Sequence, residues 1–342
     1  MPPAQFIPRG RKYLILMGKI VFTAFLLIFL FRYHDAGTQL VMRLGKLKLA
    51  TLTGAVLLLL GQAALNAVRW RTITILIGPA LALLMSFRLV LIGLFFNQVL
   101  PSAAGGDILR WWYARRSGIP SLDAVNGLLL DRIIGMLTLL FFILGIAPFV
   151  GASGEQFISS SMSSSIFGLM VIGVIAILFV DRLPAHCSRA PFLRIAFRLA
   201  GDSRLVLLNG WRTSGVVALS AAAQMLPIIV VYLLAGDLGI HTSLPICMFV
   251  VPAALLCTSL PFSVAGWGVR EGAFVIGFGL FSISPGEALA VSIVFGIISL
   301  IAGLTGGIVW WFLRDAPPIR PAPTKASLDN AEEPKSLGQR NE

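Results

Sequence analysis

Residues 88–110 read RLVLIGLFFNQVLPSAAGGDILR. The apolar part, 88–100, stops at Pro101 and runs through Gly105 and Gly106 to the charged Asp107 and Arg110. It is shorter than the ~20 apolar residues that carry a helix across a bilayer. It is also too apolar for a solvated loop. A helix that dips into a membrane, breaks and returns fits it better than a double crossing, because Arg69 and Arg71 before it and Arg115 and Arg116 after it mark the same side.

The rest of the chain supplies the membrane. Of 342 residues, 57% are hydrophobic and only 12% charged, with a mean hydropathy of +0.89. A soluble domain carries about 25% charged residues, so this chain cannot cover a water-facing surface. A soluble enzyme is excluded. Spans are expected at 13–31, 49–67, 122–147, 163–180, 213–233 and 287–313, with interrupted apolar stretches at 88–100 and 245–283. The fold class is therefore an all-α integral membrane protein of about six to eight transmembrane helices, with one or two re-entrant broken-helix hairpins. A charged segment 1–12, a membrane domain 13–314 and a disordered, Pro- and charge-rich tail 315–342 complete the organisation. The apolar run after Arg9, Arg11 and Lys12 is long enough to span and has no small-residue cleavage site, so it reads as an uncleaved first span.

Basic residues give sidedness. The stretch 181–212 carries Arg182, Arg189, Arg194, Arg198, Arg204 and Arg212 and should be cytoplasmic, whereas 148–162 and 234–244 contain no Lys or Arg and should face outward. Both termini then lie in the cytoplasm, across a cytoplasmic (inner) membrane. The loop 32–48, with Arg32, Arg43, Lys46 and Lys48, disagrees and reads as an interfacial segment. The chain has 27 Lys+Arg against 15 Asp+Glu, yet no basic face with interleaved aromatics, so nucleic acid is not a partner. Cys187, Cys247 and Cys257 and the scattered histidines form no metal-ligand pattern. Neither a metal nor another cofactor is expected.

A second stretch repeats the first. After Leu260-Pro261 come Gly266, Trp267, Gly268, Arg270 and Glu271; Gly follows Pro by five residues and Arg by nine, as in Leu100-Pro101, Gly106 and Arg110. Broken backbone at membrane depth is tolerated only where it is buried in protein or lines a wet cavity. Half-helices starting near Asp107 and Gly268 would aim N–H groups and a positive dipole end inward, with Arg110 and Arg270 in their first turns. Two such starts make an anion site. They are inverted repeats if one hairpin enters from each side; 245–283 reads equally as two short spans. Adjacent helical residues do not face one another, so Asp131 and Arg132, like Arg270 and Glu271, are expected to pair with other segments. Asn97 and Gln98 either cap the first break or bind a polar headgroup. Ser299, Gly303 and Gly307 form a small-residue packing stripe, and Trp70, Trp111, Trp112, Trp310 and Trp311 read as interfacial anchors.

The run Phe95–Pro101 with Gly105, Gly106, Asp107 and Arg110, then Asp131-Arg132, then Leu260-Pro261 with Gly266–Glu271, resembles the lysylphosphatidylglycerol synthase transmembrane-region family, the membrane part of bacterial multiple peptide resistance factors. Arg69-Trp70-Arg71 fits as well, and the likeness covers 13–313. The resemblance implies a flippase-like domain that moves an anionic phospholipid between leaflets. The chain stops after a short tail, so lysyl transfer by an aminoacyl-transferase domain is not expected of it. The leading expectation is a lipid translocator that holds a headgroup phosphate between the half-helix starts. Its site would comprise Asn97, Gln98, Pro101, Gly105, Gly106, Asp107, Arg110, Asp131, Arg132, Pro261, Gly266, Trp267, Gly268, Arg270 and Glu271. The alternatives are an integral-membrane transferase on a lipid-linked substrate, using Asp107 with Asp131 or Glu271, and a non-catalytic partner of a lipid-biosynthesis enzyme.

Overall fold

The structure is a computed structural model, and it describes residues 45–100, 105–150, 199–206, 209–259 and 266–314. The expected spans 13–31 and 163–180, residues 32–44 of the loop 32–48, the terminal segments 1–12 and 315–342, and Pro101 and Pro261 lie outside the described residues.

The described chain is α-helical, with no strand. It runs α1 (Leu49–Ile77), α2 (Leu83–Val99), α3 (Gly105–Arg116), α4 (Ser121–Ile146), α5 (Trp211–Asp237), α6 (Leu244–Thr258), α7 (Val269–Gly279) and α8 (Pro285–Leu313). The long helices α1, α4, α5 and α8 are each apolar and long enough to cross a membrane. At 1.5 Å per residue α1 and α8 reach about 43 Å, whereas α2, α3, α6 and α7 reach only about 16–25 Å. This is an α-helical membrane protein with short helices set among long ones.

Local chemistry places the ends. α8 starts where Ser284 Oγ accepts from Glu287 N–H and Glu287 Oε2 accepts from Ser284 N–H at 3.2 Å, with Pro285 at the first helical position. α2 ends at Val99, just before Pro101, whose ring disfavours helical backbone in the residue ahead of it. α7 begins after Gly268, whose φ of 85° suits only glycine without strain. α1 runs ten residues beyond the expected end of its span, to Ile77, because Ile73, Ile75, Leu76 and Ile77 continue the apolar run past Arg69 and Arg71.

The connections fix a topology that counting left open. α2 and α3 leave and rejoin the end of the bundle where α1 ends and α4 begins; α6 and α7 leave and rejoin the end where α5 finishes and α8 starts. Those are opposite ends. α1 and α5 pack against each other, and the Lys48 N–H at the start of α1 donates to Asp237 Oδ2 at the end of α5, 3.1 Å away. Each pair packs as a hairpin, α2 on α3 and α6 on α7. The stretch 245–283 is thus a second dipping hairpin, inverted relative to the first.

Two apolar clusters support the hairpins. Val250, Val251 and Ala254 of α6 and Phe274 and Phe278 of α7 pack with Val291, Phe295 and Ile298 of α8 and Leu234 of α5. Leu89, Leu91 and Ile92 of α2 pack with Ala67 and Trp70 of α1 and Tyr113 of α3. The small-residue stripe of α8 is a packing seam: a Cβ on Gly306 would strike the Leu91 carbonyl, one on Gly307 the Phe95 ring, and Gly303 lies against Gln98 and Leu94. Gly106 does the same between α3 and α2, where a Cβ would overlap the Gly93 backbone. Small residues let helices approach where apolar burial alone gives no drive between them.

Lys48 Nζ also lies 3.8 Å from Asp237 Oδ1, but the lysine side chain is 77% exposed. Asp237→Asn is therefore expected to change the unfolding midpoint in detergent by no more than about 1 kcal/mol equivalent. A larger loss would show that this contact clamps the bundle end.

Candidate functional site

The end of α2, the start of α3, the end of α6 and the start of α7 converge on a cavity of about 380 Å³. Its walls come from every long helix near mid-length: Leu59 and Gln62 of α1, Asp131 and Arg132 of α4, Pro227 of α5, Ser299 of α8. The first hairpin contributes Asn97, Gln98, Asp107 and Arg110; the second contributes Thr258, Ser259 and Arg270. Pro227 sits inside α5 and lacks the N–H that would close the helical ladder there, so the helix wall is interrupted beside the cavity.

The charges form one connected network on the α3–α4 side. Asp131 accepts from Arg69 Nε at 2.8 Å and lies 3.3 Å from Arg110 Nη2. Arg110 Nη1 is 3.3 Å from Asp107 Oδ1, and Arg132 Nη1 is 3.0 Å from Asp107 Oδ2. Arg132 Nη2 donates to the Ser259 carbonyl at 3.3 Å, tying α4 to the second hairpin. The Arg110 guanidinium also lies over the Trp70 ring, 4.2 Å from its centroid. On the other side Arg270 Nη2 donates to Glu271 Oε1 at 2.5 Å and stacks 4.6 Å from the Trp267 centroid. Glu271 accepts in addition from Gly268 N–H at 2.6 Å and from Ser292 Oγ at 3.4 Å.

Several expectations change here. Asp131 and Arg132 do pair with other segments, but Arg270 and Glu271 pair with each other. The reason is the helix start: Glu271 folds back onto Gly268 N–H, which brings its carboxylate beside the long arginine side chain rather than along the helix face. The half-helix starts are not empty. Asn97 Oδ1 accepts from Gly106 N–H at 2.8 Å, so Asn97 caps the first break, and Glu271 fills the second. Arg110 stands in the second turn of α3, because that helix already begins at Gly105. Gly105, Gly106, Gly266, Trp267, Gly268 and Glu271 stand at the starts of α3 and α7 without lining the cavity.

Two residues were misread as markers of sidedness. Arg69 is 5% exposed and bonds Asp131 and Ser220; Trp70 is 2% exposed and underlies Arg110 instead of sitting at an interface. A periodic signal was available. Gln62, Asn66 and Arg69 recur at i, i+4 and i+7 in an otherwise apolar helix, which marks a polar stripe facing inward. Among the described residues no group of three His, Cys, Asp or Glu could hold a metal ion.

The family profile described as the lysylphosphatidylglycerol synthase TM region matches residues 16–307. The chain belongs to this family. Both hairpins and all the charged cavity residues fall inside the matched range. The UPF0104 membrane protein MJ1595 of Methanocaldococcus jannaschii is similar at 24% identity over 253 residues, covering 68% of this chain and 75% of that protein. No solved structure matches.

Gly296 of this family member leaves the space that the Arg270 side chain fills. A Cβ there would overlap the Arg270 guanidinium and crowd Trp267. Gly296→Ala is expected to leave the helices intact and to move Arg270, read as a shift in the intrinsic fluorescence of Trp267 against a chain lacking that tryptophan; an unchanged spectrum would count against the contact.

Proposed function

We propose that this protein is a flippase-like lipid translocator of the cytoplasmic membrane, with both termini in the cytoplasm, and that its cavity holds the headgroup phosphate of an anionic phospholipid or lipid-linked precursor. The carrying observation is the convergence of two inverted broken-helix hairpins on one charged cavity at mid-length of the long helices. Inverted repeats with broken helices meeting near the midplane suit alternating access to the two sides.

The charge balance suits an anion. Arg110, Arg132 and Arg270 line the cavity against Asp107 and Asp131, leaving one cation in excess. Among the described residues, the buried Arg110 Nε and Gln98 Oε1 have no hydrogen-bond partner, though both residues belong to the cavity wall. Buried polar atoms are nearly always paired, so an orphaned donor and acceptor there fit a ligand that supplies an acidic oxygen and a hydroxyl. Arg110 shares both of its carboxylates with another arginine, Asp107 with Arg132 and Asp131 with Arg69. It can turn toward a phosphate without leaving either carboxylate alone. Crossing the bilayer centre costs a charged group roughly 2.5–3.5 kcal/mol on insertion scales, and these arginines offset it.

For the same reason Arg110→Gln is the informative substitution. Losing one hydrogen bond to a charged group, about 1.5–3 kcal/mol, should reduce co-purifying anionic lipid about tenfold or more while the protein stays folded. Mass spectrometry of bound lipids compares the two. If wild type and variant carry the same bulk membrane mixture, the proposal fails.

A further inference from the structure

A second, apolar cavity of about 280 Å³ lies between α3 and α4. It shares Asp107 and Arg132 with the charged cavity; its other walls, including Ile108 and Trp111 of α3 and Val125 and Leu129 of α4, are apolar. Ile108 is 58% and Leu129 36% exposed, so the groove opens on the outer face of the bundle. The Asp107–Arg132 pair stands where the two spaces meet, and it is the most exposed ion pair of the cavity network, with side chains at 28% and 31%.

The geometry points to a lateral acyl-chain groove: the α3–α4 groove seats a hydrocarbon chain of the same anionic phospholipid whose headgroup occupies the charged cavity, and the Asp107–Arg132 pair is the door between them. This rests on the proposed lipid-translocating function and adds the route by which the lipid reaches the site. Amphipathic continuity carries it. A phospholipid needs a charged pocket and an apolar slot joined within a few ångströms, and here two residues belong to both. An isolated apolar groove would carry no preference, since lipid tails are as apolar as the groove itself. Retention of a chain there has to come from the headgroup, and the occupancy should depend on its charge.

The test uses the whole protein in proteoliposomes with phosphatidylglycerol bearing a photoactivatable diazirine in one acyl chain, and the matching phosphatidylcholine probe. The expected result is phosphatidylglycerol label on the peptides of 108–111 and 125–129 at about tenfold the level on the exposed Ile297, Leu300, Ile301 and Leu304 of α8, a factor worth about 1.4 kcal/mol. The choline probe and the Arg110→Gln protein should show no such excess. Leu129→Trp should remove the excess by filling the groove. Uniform labelling of groove and outer face by phosphatidylglycerol in wild type overturns the groove, whatever the variants do. Binding of the water-soluble headgroup glycerophosphoglycerol, measured separately, keeps the two readings apart. If it binds and depends on Arg110 while labelling is uniform, only the groove falls; if it does not bind, the headgroup cavity falls as well.

Discussion

Replacing Asp131 by Asn is expected to cost the folded protein about 3–5 kcal/mol, the typical penalty for removing one partner of a buried ion pair. Asp131 is 5% exposed and holds two guanidiniums, Arg69 at 2.8 Å and Arg110 at 3.3 Å. Asn keeps the shape and removes the charge, so the effect is electrostatic. Arg110 retains Asp107, but Arg69 is left in the interior with neutral acceptors alone, among them the Ser220 hydroxyl, 2.7 Å from its Nη1. The measurement is the thermal unfolding midpoint in detergent, with the fraction of monodisperse protein. Removing both charges, as Arg69→Met with Asp131→Leu, should recover much of the loss, because a buried pair replaced by apolar groups of similar volume is often neutral. A double variant as unstable as the single one would mean that Asp131 acts through something other than its arginines.

Gly106→Ala is expected to disable the first hairpin. The added carbon would overlap the Gly93 carbonyl and Cα, which are backbone atoms with no rotamer to escape into. The hairpin must open, at a cost of about 1–3 kcal/mol for overpacking. Opening also draws Gly106 N–H away from Asn97 Oδ1 and carries Asp107 and Arg110 with it. Loss of co-purifying anionic lipid should therefore exceed the loss of stability. Gly54→Ala on α1, where a Cβ would meet nothing within 4 Å, is the control and should leave both unchanged. Equal behaviour of the two variants would remove the α2–α3 approach from the argument.

Much of this was legible in the residues. Span length and apolarity located α4, α5 and α8 to within a few residues, because a membrane helix is set by its own composition and the thickness of the bilayer. The Leu-Pro, Gly and Arg register announced two breaks, since a proline followed within five residues by glycine both removes an N–H and frees the backbone. Side-chain partners were harder. Arg69 looked like a cytoplasmic anchor because basic residues near span ends usually are, and only the polar stripe Gln62, Asn66 and Arg69 argued otherwise. Arg270 and Glu271 looked like strangers because a straight helix separates neighbours; the turn at Gly268 let the carboxylate fold back.

By itself the sequence determined the membrane, the helical class and two interrupted apolar stretches that carry charged residues. These follow from local rules: the hydrogen-bonding demand of backbone in lipid, the stiffness of proline, and the cost of an unpaired charge. Only the tertiary structure decided that 245–283 is a hairpin entering from the end opposite the first, that helix ends of both hairpins line one cavity, and which carboxylate serves which arginine. Those depend on contacts between distant segments, Lys48 with Asp237, Asp131 with Arg69 and Arg132 with Ser259, and no local pattern encodes a partner 62, 127 or 189 residues away.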